Sequence, residues 1–243
     1  MTARGRRSAS RPGNDRGATG GASQREGAAG PSADFWQDRF ASQRTPWDRG
    51  EVNPALEPLL VRGILPPAAR VLVPGCGAGH EVVRLAAAGH RVLAVDYAPA
   101  AVALTRERLS QAGLDAEVVE ADLLSWDPPA RFDAVWDQAC LCALHPDHWT
   151  TYAGRLADWI GAGGTLVLLA VQVERERSRE GFVEGPPYHC DINAMRALFP
   201  SSRWTWPRPP YERRAHPAGF AELQLLLERA DSAAPAASLQ PSK

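Results

Sequence analysis

The feature that most constrains the fold is a glycine-rich turn that follows a short apolar run. Within residues 70–81, the run Val-Leu-Val-Pro is followed by Gly75, Gly77 and Gly79. Such a run predicts a buried strand, and helical spacing resumes at Glu81. Glycine lacks a Cβ, so the turn can adopt positive φ and let a ligand approach the amides at the helix start. The pattern predicts a strand, a tight turn and a helix around a small-molecule site.

A second apolar run, 91–96, ends in Asp96, about 20 residues after the first glycine, where Rossmann-like folds hold a ribose. The dinucleotide pattern requires glycine or alanine at position 80, which here is His80. Glu81 in the first helical turn would repel a pyrophosphate, but it could pair with an ammonium or sulfonium group. These residues favour S-adenosylmethionine over NAD; for the glycines alone, an ordinary tight turn is the alternative.

Apolar runs alternate with helical spacing along most of the chain. Strands are predicted at 71–73, 91–96, 116–120, 131–137, 165–171, 204–206 and 220–228, and helices at 81–89, 99–113, 149–160 and 191–198. This alternation predicts an α/β fold with a parallel sheet covered by helices on both faces. Gly75, Asp96, Asp122 and Asp137 all follow or end a strand, at the edge where such sheets bind ligands.

Two of these carboxylates suit a nucleoside. Asp96 can accept hydrogen bonds from a ribose diol, or it can cap the helix that follows. Asp122 can accept a bond from the exocyclic amine of adenine while the Leu123 amide faces a ring nitrogen, or Asp122 can simply form a turn.

Composition divides the chain into one domain and two tails. Residues 1–33 and 231–243 are small and polar and are expected to be disordered, which leaves one domain at 34–230. The formal net charge of −1 gives no bulk attraction to nucleic acid or to a membrane surface. Without a secretory segment, the four irregularly spaced cysteines indicate reduced thiols and a cytoplasmic protein. No apolar run reaches the roughly 20 residues of a membrane span.

An aromatic arm precedes the first strand. Trp36 and Phe40 share one face of a predicted helix that Pro46 ends, and Trp47 follows. The rings either pack onto the core or form a lid over a bound ligand.

Two loops hold further candidates. Cys140, Cys142, His145 and His148 do not have zinc-site spacing, so no metal is predicted; His145 could accept a proton or simply be solvated. Tyr188 follows Gly-Pro-Pro, which fixes the backbone, so its ring could line an acceptor pocket or belong to a structural turn.

With these residues described, the chain resembles the thiopurine S-methyltransferase family in its broad sense, and especially the plant and bacterial halide/thiol methyltransferases. The matching pieces are 45–50 (Thr-Pro-Trp-Asp-Arg-Gly), 72–77 (Leu-Val-Pro-Gly-Cys-Gly), 79–82 (Gly-His-Glu-Val), 95–96, 132–133, 136–137, 142–144 and 185–188 (Gly-Pro-Pro-Tyr).

The resemblance implies a seven-stranded, Rossmann-like class I methyltransferase fold with an antiparallel last strand, and S-adenosyl-L-methionine as donor. It also implies a donor site formed by Trp36, Phe40, Trp47, Gly75, Asp96, Asp122, Leu123 and Gln138. Two positions depart from the family pattern. Phe40 stands where the halide/thiol group often has tryptophan, and Gln138 where it has tyrosine and the thiopurine enzymes have arginine.

Transfer of a methyl group from a sulfonium to a soft anion cancels charge, so alignment in a dry pocket can suffice without a strong base. The sequence offers no convincing acid/base pair, and no catalytic residue is assigned. We expect a monomer that methylates a small thiol, sulfide, thiocyanate, halide or thiopurine. A selenium or tellurium acceptor, and a non-catalytic binding protein, are the alternatives. A nucleic-acid or protein methyltransferase would need a basic face, which the folded part lacks.

Overall fold

The structure, a computed structural model, describes residues 30–173, 175 and 183–231. Most of the two predicted tails, 1–33 and 231–243, lies outside the described residues. Within the described part, Ser32 caps the first helix by accepting a hydrogen bond from the Phe35 amide at 3.3 Å.

One mixed sheet forms the centre of the fold. Its five parallel strands lie in the order β3-β2-β1-β4-β5, and β8 pairs antiparallel with β5. The strands are β1 (Arg70–Pro74), β2 (Arg91–Asp96), β3 (Glu117–Glu120), β4 (Phe132–Gln138), β5 (Ile160–Gln172), β6 (Trp204–Thr205), β7 (Glu212–Ala215) and β8 (Ala221–Arg229). Strand β6 pairs with the far edge of β8. The predicted parallel sheet with an antiparallel last strand is confirmed.

Helices cover both faces of the sheet. They are α1 (Ala33–Ala41), α2 (Leu56–Val61), α3 (His80–Ala87), α4 (Pro99–Ala112), α5 (Trp149–Trp159) and α6 (Ile192–Leu198). Pro99 begins α4, and Gly113 ends it in the left-handed conformation, as the sequence predicts. Helix α2 is not predicted, because six residues are too few to show helical periodicity.

Alternate residues of β1 divide the core between the two faces. Leu72 belongs to the cluster that includes Tyr152 and Leu156 of α5, whereas Val71 and Val73 belong to the cluster on the other face. A strand with both faces buried is nearly all apolar, which is why β1 appears in the sequence as an unbroken apolar run.

Two features differ from the prediction. Strand β5 begins at Ile160 instead of Thr165, because the glycine segment 161–164 stays within the strand as an irregularity opposite β4. The seven predicted strands are present, but the sheet has an eighth, β7, which pairs antiparallel with β8. The sequence of β7, Glu-Arg-Arg-Ala, carries no strand signal. Among the described residues, no helix has the length and apolar character needed to cross a membrane.

Candidate functional site

A cavity of about 430 Å³ lies at the carboxyl ends of the central parallel strands. This is the edge where sheets of this type bind ligands. All eight residues predicted to form the donor site line it: Trp36, Phe40, Trp47, Gly75, Asp96, Asp122, Leu123 and Gln138. The fold therefore brings together residues as far apart in the sequence as Trp36 and Gln138, which are 102 positions apart.

The glycine turn forms one wall of the cavity. Gly75, Gly77 and Gly79 have φ values of 59°, 54° and 79°, which confirms the predicted positive φ. A Cβ on Gly79 would lie 2.9 Å from the Cα of Thr105 in α4, and one on Gly75 would lie 3.1 Å from Cys140 Sγ. The glycines are thus also required by close packing, a role that the sequence analysis does not foresee.

Asp96 ties the turn to the second strand. One carboxylate oxygen accepts a hydrogen bond from the Gly77 amide at 3.0 Å, and the other accepts one from the Ala98 amide, just before α4, at 2.9 Å. The side chain is buried, and burial raises its pKa against the opposing effect of the amides. Each carboxylate oxygen can accept a second hydrogen bond, so Asp96 can hold the turn and still bind a ligand.

Asp122 forms a turn at the cavity edge. Its carboxylate accepts a hydrogen bond from the Leu124 amide at 2.9 Å, and its carbonyl accepts one from Trp126 at 2.8 Å. The turn-forming alternative is therefore present. The neighbouring Leu123 is buried in the core beside the cavity.

The aromatic arm is both packed and part of the cavity wall. Trp36 and Phe40 are buried on one face of α1, as predicted, and form a cluster with Ala98, just before α4, and Ala101 of α4. Trp47 meets both rings edge to face, with ring centroids 5.2 and 5.9 Å apart. The predicted core packing is present, and the same rings line the cavity, whereas their role as a lid over a bound ligand stays a prediction.

Polar contacts fasten the arm to the first turn of α3. Asp48 Oδ1 lies 3.0 Å from His80 Nε2, and this hydrogen bond is the main cause that lowers the pKa of Asp48. The Asn53 amide donates to Glu81 Oε1 at 2.8 Å. Burial raises the pKa of Glu81, which lines the cavity. His80 and Glu81, the two residues that disfavour a dinucleotide, thus bind the arm.

The same arm is fastened to β8. Glu222 Oε2 accepts hydrogen bonds from Arg49 Nη2 at 2.7 Å and from Asn53 Nδ2 at 3.0 Å. Arg49 lines the cavity, as does Phe220, whose ring stacks on His216 at 4.1 Å. None of these residues is predicted to line the site, because a buried ion pair between distant segments produces no local pattern in the sequence.

A fully buried carboxylate supports the loop after β4. Asp137 accepts hydrogen bonds from the Tyr152 hydroxyl at 2.9 Å and from the Cys140 and Leu141 amides at 3.2 Å. Burial raises the pKa of Asp137 to about 6. These contacts hold the loop that lines the cavity next to Gln138. The sequence indicates only that Asp137 ends a strand.

Two predicted residues lie outside the cavity. Tyr188 and His145 pack edge to face with centroids 5.3 Å apart, and the Tyr188 amide donates to the Cys142 carbonyl at 2.7 Å. Neither side chain is among those that line the cavity, whereas Pro186 and Pro187 are. The structure therefore places both side chains outside the cavity wall, and the roles of Tyr188 in an acceptor pocket and of His145 as a proton acceptor stay predictions.

Metal ligands do not cluster in the described part of the chain. No group of three or more His, Cys, Asp or Glu side chains there could hold an ion. All four cysteines are free and buried.

The donor set in the cavity suits a cationic nucleoside. The Asp96 carboxylate is buried there and the Glu81 side chain is partly buried, and Glu81 accepts a hydrogen bond from the Asn53 amide with one oxygen, Oε1. The faces of Trp36 and Trp47 can also attract a cation. S-adenosylmethionine, which is cationic at sulfur and carries ribose hydroxyls, fits these residues better than an anionic dinucleotide.

Solved structures share this architecture. The structure of Burkholderia thailandensis 1,6-didemethyltoxoflavin-N1-methyltransferase with bound S-adenosylhomocysteine superposes with a TM-score of 0.63 and 21% identity, covering 82% of this chain and 87% of that one. The fold is that of a class I S-adenosylmethionine-dependent methyltransferase.

The sequence places the chain more narrowly. Residues 31–207 match the family model described as "Thiopurine S-methyltransferase (TPMT)". "Probable thiol methyltransferase 2" of Arabidopsis thaliana is 30% identical over 67% of this chain and 70% of its own length. Thiopurine S-methyltransferase of Pseudomonas putida (strain GB-1) is 31% identical over 63% and 76%. The chain belongs to the thiopurine S-methyltransferase family, and S-adenosylmethionine is its cofactor, as predicted.

Proposed function

We propose that the protein transfers a methyl group to the sulfur of a small thiol or to a related soft nucleophile: sulfide, thiocyanate, a halide or a thiopurine. The observation that carries the proposal is a cavity lined by aromatic rings and by the carboxylates of Asp96 and Glu81 beside a glycine turn. The names of the relatives, which include thiol, thiocyanate and thiopurine methyltransferases, support this choice of acceptor.

In the proposed donor site, Asp96 accepts hydrogen bonds from the ribose, and Asp122 with the Leu123 amide holds the adenine. Gly75 allows close approach of the amino-acid end. Trp36, Phe40, Trp47 and Gln138 complete the wall. When bound, S-adenosylmethionine supplies an electrophilic methyl group on a sulfonium.

The chain contributes chiefly by alignment and by exclusion of water. Holding two reactants in line can lower the barrier by roughly 7–11 kcal/mol. A thiol with a pKa near 8.5 is already a few per cent thiolate at neutral pH, so a strong base is not required. Among the described residues of the cavity wall, His80 is bound to Asp48, and burial raises the pKa of Cys76 to about 12. Neither is arranged to accept a proton.

We also propose that the protein works as a cytoplasmic monomer without a nucleic-acid or membrane partner. The formal net charge of −1 and the four free cysteines support this proposal.

The acceptor can be identified by incubating the protein and S-adenosylmethionine with thiols, sulfide, iodide, thiocyanate and thiopurines. Volatile products are followed by gas chromatography, and thiopurine products by liquid chromatography. Methylation of at least one thiol is expected. Tight binding of S-adenosylhomocysteine without methylation of any acceptor would instead indicate a non-catalytic binding protein.

A further inference from the structure

Arg49 is a buried arginine whose charge is only partly used within the protein. Its side chain is 5% exposed, and its ion pair with Glu222, itself 2% exposed, spans 2.7 Å. The same Nη2 atom also donates to the Ala215 carbonyl at 3.3 Å. Both contacts therefore use one corner of the guanidinium group, which carries five N–H donors.

One donor of the guanidinium lacks a partner. Arg49 Nε is buried and has no hydrogen-bond partner among the described residues, and the side chain lines the cavity. Buried N–H groups in folded proteins are nearly always paired, so an unpaired one at a cavity wall indicates a ligand group or water. A free N–H of a guanidinium donates a charge-assisted hydrogen bond to a carboxylate.

The partly buried carboxylate of Glu81 lies near Arg49 in the same wall. Asn53 connects Glu81 to Arg49. The backbone N–H of Asn53 donates to Glu81 at 2.8 Å, and its side-chain Nδ2 donates at 3.0 Å to the Glu222 oxygen that also binds Arg49. The cavity wall therefore presents a carboxylate and a guanidinium that are connected through a single residue, Asn53. An amino acid, with an ammonium and a carboxylate on one carbon, carries the complementary pair of charges.

We propose that Arg49 binds a carboxylate in the cavity and that this group is the α-carboxylate of the methyl donor, with Glu81 facing its ammonium. The inference rests on the proposed function. The other possible source is a carboxylate carried by the methyl acceptor, and the two sources predict different outcomes.

The test uses two ligands that differ only in the carboxylate: S-adenosylhomocysteine and its decarboxylated derivative, which keeps the ammonium. Arg49→Lys keeps a cation opposite Glu222 but removes the Nε donor. We expect this variant to lower the affinity for S-adenosylhomocysteine at least tenfold by calorimetry and to leave that for the decarboxylated ligand within twofold. Arg84→Lys is the matched control, since Arg84 also pairs with a glutamate at 2.7 Å, but outside the cavity.

Acceptor kinetics form the second arm. If the carboxylate belongs to the acceptor, Arg49→Lys leaves both affinities unchanged but raises KM for 3-mercaptopropionate and not for ethanethiol. Equal behaviour of wild type and variant in both arms overturns the inference while the proposed function stands. Failure of the wild type to bind S-adenosylhomocysteine overturns both.

A further variant guards against misfolding of Arg49→Lys. Glu222→Gln keeps the guanidinium and weakens only its internal partner. It should therefore retain or increase the preference for the carboxylated ligand. Loss of that preference in Glu222→Gln would show that the ion pair is structural and would overturn the inference. Thermal unfolding of each variant checks that it is folded.

Discussion

At the scale of single residues, Asp96 has two roles that can be separated. Replacing it with alanine removes the carboxylate from the cavity and leaves the amides of Gly77 and Ala98 without a partner. We expect affinity for S-adenosylhomocysteine, measured by calorimetry, to fall more than tenfold, with a loss of about 1–3 kcal/mol in unfolding free energy from the unpaired amides.

Asp133→Ala is a suitable control for Asp96→Ala. Asp133 also accepts a hydrogen bond from a backbone amide, that of Arg70 at 2.8 Å, but does not line the cavity. The Asp133→Ala variant should have a lower unfolding free energy but an unchanged affinity for S-adenosylhomocysteine. Unchanged affinity in Asp96→Ala would show that the ribose is held elsewhere.

Gly79 is a position where sterics and backbone conformation act together. An alanine there would need φ near +79° and would bring its Cβ within 2.9 Å of the Thr105 Cα. Gly89 has a similar φ of +86°, but its Cβ would meet nothing within 4 Å. In urea unfolding, Gly89→Ala should lose about 1–2 kcal/mol from the left-handed backbone alone, and Gly79→Ala should lose about 1–3 kcal/mol more from the clash. Equal losses would mean that α4 shifts freely.

Asp137 gives a pH dependence of stability. Its pKa is about 6 in the folded protein, against an ordinary value of 3.8, because burial penalises the ionised form. Between these pH values the folded state binds more protons than the unfolded one, so stability falls as pH rises from about 4 to 6 and then levels off. Asparagine has the same shape but does not ionise.

Asp137→Asn should therefore match the wild type near pH 4 and be more stable by about 1–3 kcal/mol at pH 7.5, as measured by urea unfolding at both pH values. Burial also raises the pKa values of Asp96 and Glu81, but these two residues are present in both proteins, so their contributions cancel in the comparison. A constant difference between variant and wild type at all pH values would contradict the raised pKa.

At the scale of elements, the aromatic arm joins the cavity to helix α4 and strand β8. Trp47 is half-buried and contacts Trp36 and Phe40 at ring edges. Its removal would therefore lose few packing contacts but would open the cavity wall. Trp47→Ala should lower turnover more than tenfold while Tm falls by less than about 5 °C. Trp47→Phe, which keeps a ring, should retain most activity. A proportionate loss of stability and turnover would assign the arm to the core.

The elements that could be predicted from the sequence are those with local patterns. The strand-turn-helix around Gly75, the alternation of strands and helices, and Asp96 at a strand end all arise within short windows of the chain. They suffice to indicate the fold and most of one wall of the cavity.

The remaining features depend on contacts between distant segments. Arg49 and Glu222 are 173 positions apart, so no local pattern in the sequence connects them. Strand β7 is highly charged and forms only because β8 supplies its hydrogen-bond partners. Tyr188 follows a motif that fixes its backbone, but tertiary packing against His145 decides where its ring lies.

At the scale of the whole molecule, the cavity wall is drawn from several otherwise separate parts of the chain. Helix α1 and the arm, the turn after β1, the end of β2 and the loop after β4 all contribute. Local opening of any one of these parts would weaken the binding of a ligand that contacts all of them. Ligand binding should therefore stabilise the fold as a unit.

S-adenosylhomocysteine at 100 times its Kd should add about 2.7 kcal/mol to the unfolding free energy, which for a domain of this size corresponds to a rise in Tm of roughly 5–10 °C. NAD at the same concentration should have no effect, because His80 stands where the dinucleotide pattern requires a small residue and Glu81 would repel a pyrophosphate. A similar rise in Tm with NAD would show that the cavity recognises adenosine alone and that the carboxylates facing it do not select the cationic ligand.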